Sequence, residues 1–329
     1  MKKLLFFLFA ILVMTSCESS GGGIRSLPPA TGTPYSLLVV SSKAVWDSSV
    51  GDTVKSIFAQ DVEMLNIPEP LYSIINVAPS QVTSVLDRYR NIFYLIVNKE
   101  KYDRTHINVE FDKKAEEQTI ITIYSPSIDS MTNYIGTNGD VLLALLDKSE
   151  RDRYITRAKK YSSESLKKQI YEKFGFLIDI PSNYKIRNEK DDFIWISYDP
   201  SSLSNIGFTI YTFESGDGLD VVRPLVARNE AVMNIPGGNE GSYMTTEMEI
   251  EPTYKRVIIN GQPWIEMRGF WKMHKDFLGG PFVNFTTQDP ATGKMVGIDC
   301  YVMSQSYKDG MRNYIRQLEA MVLTLKFKE

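Results

Sequence analysis

The chain has 329 residues, and its 37 Lys and Arg stand against 40 Asp and Glu, a formal net charge of −3 at pH 7. There is no basic excess to neutralise phosphates, so we do not expect nucleic acid as a partner. Its two cysteines are too few to brace a chain of this size, so we expect stability to come from a hydrophobic core rather than from disulfides.

The N-terminus has the three regions of a secretory signal peptide. Lys2 and Lys3 precede an apolar run, Leu4–Met14, which is followed by the small residues Thr15 and Ser16. The apolar run has 11 residues, whereas a membrane-spanning helix needs about 20. We therefore expect residues 1–16 to direct export and then to be removed.

The stretch Val13-Met14-Thr15-Ser16-Cys17 resembles the lipobox of bacterial lipoproteins. This resemblance implies that Cys17 is acylated, so the lipid bilayer becomes a partner through acyl chains that hold the mature protein firmly. The alternative is an ordinary secretory signal with an incidental cysteine. Glu18 and two serines match neither the Asp typical of inner-membrane lipoproteins nor the acidic run typical of surface-exported ones. The location implied is the outer membrane, facing the periplasm.

Composition divides the rest of the chain. Residues 17–34 combine the cysteine with a Gly, Ser, Thr and Pro-rich segment that is typical of a flexible tether. About 295 residues follow, which favours two domains of ordinary size. A change of pattern near residue 174 places them at 35–173, an α/β domain, and 174–329, an α+β domain.

In the first domain, continuous apolar runs such as Ile92–Val97 are typical of strands buried on both faces. They alternate with two segments of helical period, the second opened by Pro79 and continuing to Tyr89. We therefore predict a β-α-β-α-β unit with a mostly parallel sheet. A hairpin through Lys113–Glu117 and long charged helices over Asn138–Lys173 complete it.

The second domain has many alternating segments separated by turn signals, among which Asn260-Gly261 is a strong hairpin signal. Helices are predicted at Leu219–Met233 and Tyr307–Leu325. This pattern predicts an antiparallel sheet covered by helices. In one of its strands Val296, Ile298, Cys300 and Val302 share a face, which indicates a buried and unreactive thiol.

Two resemblances follow from these segments. The first resemblance is to an uncharacterised Bacteroidetes lipoprotein family, defined as a domain of unknown function. It rests on the apolar strand that begins at Tyr35 and is followed by Trp46-Asp47, on the turn Ile67-Pro68-Glu69-Pro70 and on the strand Arg90–Tyr94. Phe176–Ile186 with the last helix faintly resembles the Mog1/PsbP-like fold, an α/β/α sandwich of binding proteins. Neither resemblance implies a catalytic residue.

Residues that carry catalysis are sparse. His106 and His274 are the only histidines, and they fall in different predicted domains. The sequence contains no nucleophile motif, no phosphate-binding motif and no zinc-binding motif. We expect no cofactor and no metal site. Carboxylates could still act without histidine, but Glu247, Glu249 and Glu251 alternate with apolar residues and are interpreted as the solvated face of a strand.

One segment, residues 262–274, combines aromatic and charged side chains on a single predicted strand face. Large rings beside donors and acceptors suit a sugar or peptide ligand. The alternative is a solvated face with ion pairs and rings covered by a helix. The candidate ligand surface consists of Trp264, Glu266, Arg268, Phe270, Lys272 and His274.

These observations favour a membrane-anchored, non-enzymatic envelope lipoprotein that binds a partner protein or a cell-envelope ligand such as a glycan. A hydrolase of glycan or peptidoglycan that works through carboxylates is the alternative. A structural component of an envelope complex is a third hypothesis, and it predicts an exposed apolar patch.

Overall fold

The computed structural model describes residues 27–214, 222–304 and 310–327. Cys17, the signal peptide and residues 18–26 of the predicted tether lie outside this part of the chain. The first half contains β1 (Ser36–Ser41), α1 (Lys43–Trp46), α2 (Ser49–Phe58), β2 (Ser73–Val77), β3 (Asn91–Val97), β4 (His106–Phe111), β5 (Thr119–Ser125) and α3 (Ile128–Lys160).

The first sheet has the strand order β2-β1-β3-β5-β4. Strands β1, β2, β3 and β5 pair in parallel, and β4 returns antiparallel to β5, so the predicted mostly parallel sheet and the hairpin are confirmed. Helix α2 begins where the Ser48 hydroxyl accepts from Val50 N, and it buries Val50, Val54 and Phe58 against one face of the sheet together with α3.

The connection from β2 to β3 is not the helix that the period after Pro79 predicts. It consists of two 3₁₀ turns, Pro79–Gln81 and Leu86–Arg88. The β-branched Val82 has extended backbone, with φ −70° and ψ 105°, and the Thr83 hydroxyl accepts from Leu86 N in place of a helical partner. Leu86 and Val82 still cover the second face of the sheet.

The second half is built on a larger antiparallel sheet. Seven of its eight strands have the order β10-β12-β13-β14-β9-β8-β7, and the eighth, β11, pairs with β12 along the same edge as β10. Asn260 and Gly261 have φ values of 50° and 82° at the turn between β11 and β12, which confirms the predicted hairpin. The elements are α4 (Glu164–Phe174), β6 (Phe176–Leu177), β7 (Lys185–Lys190), β8 (Phe193–Ser201), β9 (Ser204–Phe213), α5 (Val222–Val232), β10 (Tyr243–Thr246), β11 (Thr253–Ile259), β12 (Gln262–His274), β13 (Gly279–Gln288), β14 (Met295–Ser304), α6 (Met311–Val322) and β15 (Lys326–Phe327).

Helices cover both faces of the larger sheet. Helix α6 packs Ile315 and Leu318 on the face that carries Cys300, and the buried position predicted for that thiol is confirmed. Burial also raises the pKa of Cys300 well above its ordinary value. Helix α5 covers the opposite face, where Val232 packs near Trp271. The predicted antiparallel sheet covered by helices is therefore confirmed.

Helix α4 belongs to the packing of the second half. Leu166, Ile170 and Phe174 contribute to the core under α6, and Gly175 ends the helix with a φ of 78°, as its position predicts. The packing boundary thus lies before α4, about ten residues ahead of the change of pattern near residue 174. Amphipathic α4 can cover either sheet, so only tertiary contacts assign it.

The two halves meet where α6 packs on α3. Arg312 of α6 reaches the first half, where its guanidinium donates to the carbonyl oxygens of Pro70 at 2.6 Å and Pro34 at 3.4 Å. Residues 27–34, which composition assigns to the tether, are bound to the first sheet, for Thr31 N donates to Arg88 O at 2.8 Å. Within the described ranges no helix is both long and apolar enough to span a membrane.

Candidate functional site

The six residues of the candidate ligand surface do share one face of β12. Pairing with β13 runs without a break from Ile265 to Lys272, so Gly269 does not shift the alternation of side chains. This is the face on which α6 lies, and the helix divides the surface into three environments. Trp264 is buried at one end, Glu266 and Arg268 lie beneath or beside α6, and Phe270, Lys272 and His274 lie beyond it.

The middle of the surface is a buried ion-pair network. Arg268 donates to Glu266 Oε1 at 2.6 Å and to Glu319 Oε1 of α6 at 2.6 Å, and Arg316 donates to Glu319 Oε2 at 3.1 Å. Burial alone would raise the pKa of Glu319, but Arg268 and Arg316 outweigh it and lower that pKa. Through Arg268, these ion pairs connect Glu319 of α6 to Glu266 of β12.

The far end of the surface borders a shallow groove of about 610 Å³. Phe270 and Lys272 line it together with Ile250, Phe277 and Leu278, and we call it the phenylalanine groove. Phe277 is fully exposed at its rim. His274 stands outside the groove, stacked on Tyr243 with ring centroids 4.8 Å apart.

The acidic segment beside this groove is a turn and not the strand face that its alternation indicates. Strand β10 ends at Thr246, and Glu247 Oε1 accepts from Glu249 N at 3.0 Å. This local bond and the following Pro252 stop the strand. Ile250, which alternation would bury, is exposed as a result.

Trp264 lines a separate concavity of about 710 Å³ near the end of the described chain. Its indole is only 1% exposed and packs on Phe327, with ring centroids 6.3 Å apart. Ile259, Leu325 and Lys326 also line this concavity, which we call the indole cavity.

Sequence reasoning missed a third concavity, which lies between the two halves and measures about 510 Å³. We call it the tyrosine cleft. Four tyrosines and three prolines dominate its wall, with Met321 at the base. It is lined by Pro34, Tyr154, Arg157, Ala158, Tyr161, Pro181, Ser182, Asn183, Tyr198, Pro200, Tyr314, Gln317 and Met321.

Three tyrosines of the cleft contact other side chains of the fold. Tyr154 of α3 stacks on the buried Tyr35 at 6.2 Å, and Tyr198 of β8 packs on Tyr184 at 5.6 Å. Tyr161, at the end of α3, is 51% exposed and lies under the Arg157 guanidinium at 5.7 Å. The cleft is therefore an aromatic surface held by a packed scaffold.

Few charges face the cleft. Arg157 is the one charged side chain in the described lining, and Ser182, Asn183 and Gln317 add hydroxyl and amide groups. Burial raises the pKa of Tyr154 to about 12, and the phenol, like that of an ordinary tyrosine, is protonated at neutral pH and can donate a hydrogen bond. Rings with few, convergent polar groups are typical of ligand sites, which occur preferentially between domains.

A signal for the cleft existed in α6 but was incomplete. Tyr314, Gln317 and Met321 follow a helical spacing beside the apolar stripe. Tyr314 and Met321 also belong to the apolar stripe, so the pattern assigns them to the core. Gln317 is the one residue of the three that the stripe does not account for. The other walls come from segments more than one hundred residues away, which no local pattern connects.

The two histidines lie in different sheets, His106 in β4 and His274 in β12. Each stacks on a tyrosine directly opposite in a neighbouring strand, His106 on Tyr124 at 4.9 Å and His274 on Tyr243. Across the described ranges, no group of three or more His, Cys, Asp or Glu side chains is placed to hold a metal ion.

Comparisons with known proteins agree with this two-part layout. Residues 163–324 match a domain of unknown function, DUF4837, and residues 30–159 match another, DUF8532. A search of curated proteins found no match. The first matched region begins just before α4, where the packing also changes.

Among solved structures, a protein from Bacteroides thetaiotaomicron has a TM-score of 0.28 at 11% identity, and the match covers 47% of this chain and 46% of that protein. The Ran-binding protein Mog1p of Saccharomyces cerevisiae has a TM-score of 0.29 at 10% identity, over 46% of this chain and 89% of Mog1p. LpqN of Mycobacterium tuberculosis, described as involved in cell envelope biogenesis, has a TM-score of 0.27 at 13% identity, over 46% and 82%.

The resemblance to an uncharacterised family is thus confirmed, at the level of domains of unknown function. The chain is similar to two domains of unknown function, DUF8532 over residues 30–159 and DUF4837 over residues 163–324.

Proposed function

We propose that this protein is a lipid-anchored, non-enzymatic lipoprotein of the bacterial cell envelope that binds an envelope glycan in the tyrosine cleft. The anchor is Cys17, and the site of action is the periplasmic face of the outer membrane. The tyrosine cleft is the observation that carries the binding role.

The chemistry of the cleft favours a polar polymer with flat apolar faces. Tyrosine rings offer such faces contact area at low entropic cost, and their hydroxyls and the amides of Asn183 and Gln317 offer hydrogen bonds. Sugars present this combination of C–H faces and hydroxyls. The single charge, on Arg157, suits a neutral or acidic glycan better than a basic one.

The anchor is tested by mass spectrometry of the mature N-terminus in the wild type and in Cys17→Ser. A diacylglycerol-bearing residue 17 is expected in the wild type, and export without lipid or accumulation of the precursor in the variant. An unmodified mature N-terminus at any other position would refute the lipoprotein assignment.

The cleft is tested with residues 18–329, which include every described residue, and with solubilised glycan strands from bacterial sacculi as the probe. Tyr161→Ala should weaken binding by about tenfold, the loss typical when an interfacial tyrosine is truncated. Tyr171→Ala, on α4 outside the cleft, is the matched control. Equal binding by wild type and Tyr161→Ala would reject the cleft as the binding site. If the protein binds no glycan strand but captures another envelope protein, the ligand of the cleft is a protein and not a glycan.

The phenylalanine groove favours a second candidate, a component of an envelope complex. Exposed Phe277, Ile250 and Met248 form the kind of apolar surface that this hypothesis predicts. Phe277→Ser should leave thermal stability unchanged and abolish co-purification of a partner from solubilised membranes. Ile258→Ser, a change at an exposed residue of β11, is the control.

A further inference from the structure

The two halves of the protein have separate hydrophobic cores. Residues 35–146 supply the core beneath α2 and α3. The core beneath α6 comes from residues 166–325, to which the first half adds the buried side chain of Ala158. Within the described ranges the chain crosses between the halves once, where α3 ends and Ser163 caps α4. Domains that keep separate cores usually move relative to one another, unless a large hydrophobic interface joins them.

Polar groups without partners lie where α3 and α6 meet. The Tyr35 ring packs on Tyr154 of α3, with centroids 6.2 Å apart. On the side of α6, the guanidinium groups of Arg312 and Arg316 lie 5.6 and 5.7 Å from the same ring. The Tyr35 hydroxyl and Arg316 Nε are buried and have no hydrogen-bond partner among the described residues. Buried polar groups are nearly always paired in folded proteins, so separation of α6 from α3 would bring these two groups the hydrogen bonds of water.

Two different connections between the halves border the tyrosine cleft. Tyr161, which ends α3, is continuous with the second half, and its carbonyl oxygen accepts from Ser182 N at 3.0 Å. Pro34 is joined to the second half without a covalent link, because its carbonyl oxygen accepts from Arg312 of α6, whose guanidinium also donates to Pro70 O. Tyr161, Ser182 and Pro34 all line the cleft.

We infer that the tyrosine cleft opens and closes by rotation of the two halves about Tyr161, and that the bonds of Arg312 hold the closed form. The chain is continuous at Tyr161, whereas the bonds of Arg312 can break and form again. A ligand that touches both walls, such as Tyr154 in the first half and Tyr198 in the second, binds the closed form more tightly and raises its population. This last step rests on the proposed function of the cleft, but the motion itself does not.

The motion is tested by double electron–electron resonance on residues 18–329. Nitroxide labels are placed at Val141→Cys in α3 and Ile258→Cys in β11, two exposed positions in different halves. Cys300 is buried and is expected to stay unlabelled. The ligand-free protein should show a closed distance and an open distance, and Arg312→Ala should lower the ratio of closed to open form about tenfold, as for the loss of a charge-assisted hydrogen bond.

Tyr35→Phe should shift this ratio in the opposite direction. The change removes a hydroxyl that has no partner in the closed form and that water can reach in the open form, so the closed form should gain about threefold over the open form. Tyr211→Phe is the matched control, because its hydroxyl accepts from Asn284 within the second half, and it should leave the ratio unchanged. A general loss of packing cannot produce a gain of the closed form.

One identical distance in wild type, Arg312→Ala and Tyr35→Phe would overturn the inference. Solubilised glycan strands are then added to the labelled wild type. A rise in the closed fraction supports both the motion and the proposed ligand. Two distances whose ratio does not respond to glycan would support the motion and reject glycan as the ligand of the cleft.

Discussion

Arg228 of α5 and Asp299 of β14 form an ion pair in which neither side chain has any exposed surface. The guanidinium donates to both carboxylate oxygens, Nε at 2.6 Å and Nη2 at 3.2 Å. The guanidinium also lies 3.5 Å from the centroid of the Phe282 ring, and Nη1 donates to Thr246 Oγ1 at 2.8 Å. A fully buried ion pair therefore holds helix α5 on the sheet.

Breaking this pair should be costly, because the partner left behind is a buried, uncompensated charge. Asp299→Ala is expected to lower the free energy of unfolding by about 3–5 kcal/mol. Asp199→Ala, which breaks the exposed pair with Arg187, should cost no more than about 1 kcal/mol. Urea unfolding followed by tryptophan fluorescence measures the free energy of unfolding of both variants. Equal decreases in the two variants would show that the buried charge has no special cost.

Arg312 should couple the unfolding of the two halves. Arg312→Ala removes its bonds to Pro70 and Pro34 and its position 5.6 Å from the Tyr35 ring. Charge-assisted bonds contribute about 1.5–3 kcal/mol each, so the loss should separate one calorimetric transition into two. Arg256→Ala, at an exposed position on β11, is the control. An unsplit transition in Arg312→Ala would show that α3 and α6 suffice for coupling.

Glu319 should stabilise the protein only above a threshold pH. Its pKa in the folded protein is below the ordinary value of 4.5, because Arg268 and Arg316 outweigh burial. A lowered carboxyl pKa gives stability that is present above about pH 4.5 and is lost as the pH falls through the folded pKa. The stability difference between wild type and Glu319→Gln should therefore be large at pH 7 and shrink below pH 4. Glu172→Gln, at an exposed carboxylate, should show a small difference at both.

Cys300 should be unreactive in the folded protein. It is the single cysteine of residues 18–329, it is fully buried, and burial raises its pKa far above its ordinary value. A thiol-specific maleimide should leave it unmodified in buffer and modify it completely in guanidinium chloride. Rapid modification under native conditions would show that α6 opens from the sheet.

Much of the fold follows from local sequence patterns. Alternation in β12 and β14 assigned the correct faces, because a strand without a bulge preserves a period of two. Gly175 and Asn260-Gly261 marked the end of a helix and a hairpin, because their backbone conformations favour these residues. The failures, Val82–Tyr89 and Glu247–Glu251, are segments where side chains bond to their own backbone and replace the regular ladder.

The candidate surface on β12 shows the limit of such patterns. The alternation of side chains along the strand placed the six residues on one face. It could not show that α6 crosses the middle of that face, where Glu266 and Arg268 form ion pairs that connect the helix to the sheet. A charged side chain has the same local pattern whether water or a helix lies above it. Its environment depends on contacts across the chain.

Local sequence patterns were enough for the two sheet types, the side-chain faces of β12 and β14 and the burial of Cys300, because each follows from how apolar and polar residues succeed one another within a single strand. Tertiary packing was needed to show that Tyr154, Tyr198 and Tyr314 share a cleft. It also showed that, within the described ranges, Trp264 Nε1 has no hydrogen-bond partner whereas Trp271 Nε1 donates to Val302 O. These relationships depend on residues that are distant along the chain, and they are set by how α6 packs between α3 and the larger sheet.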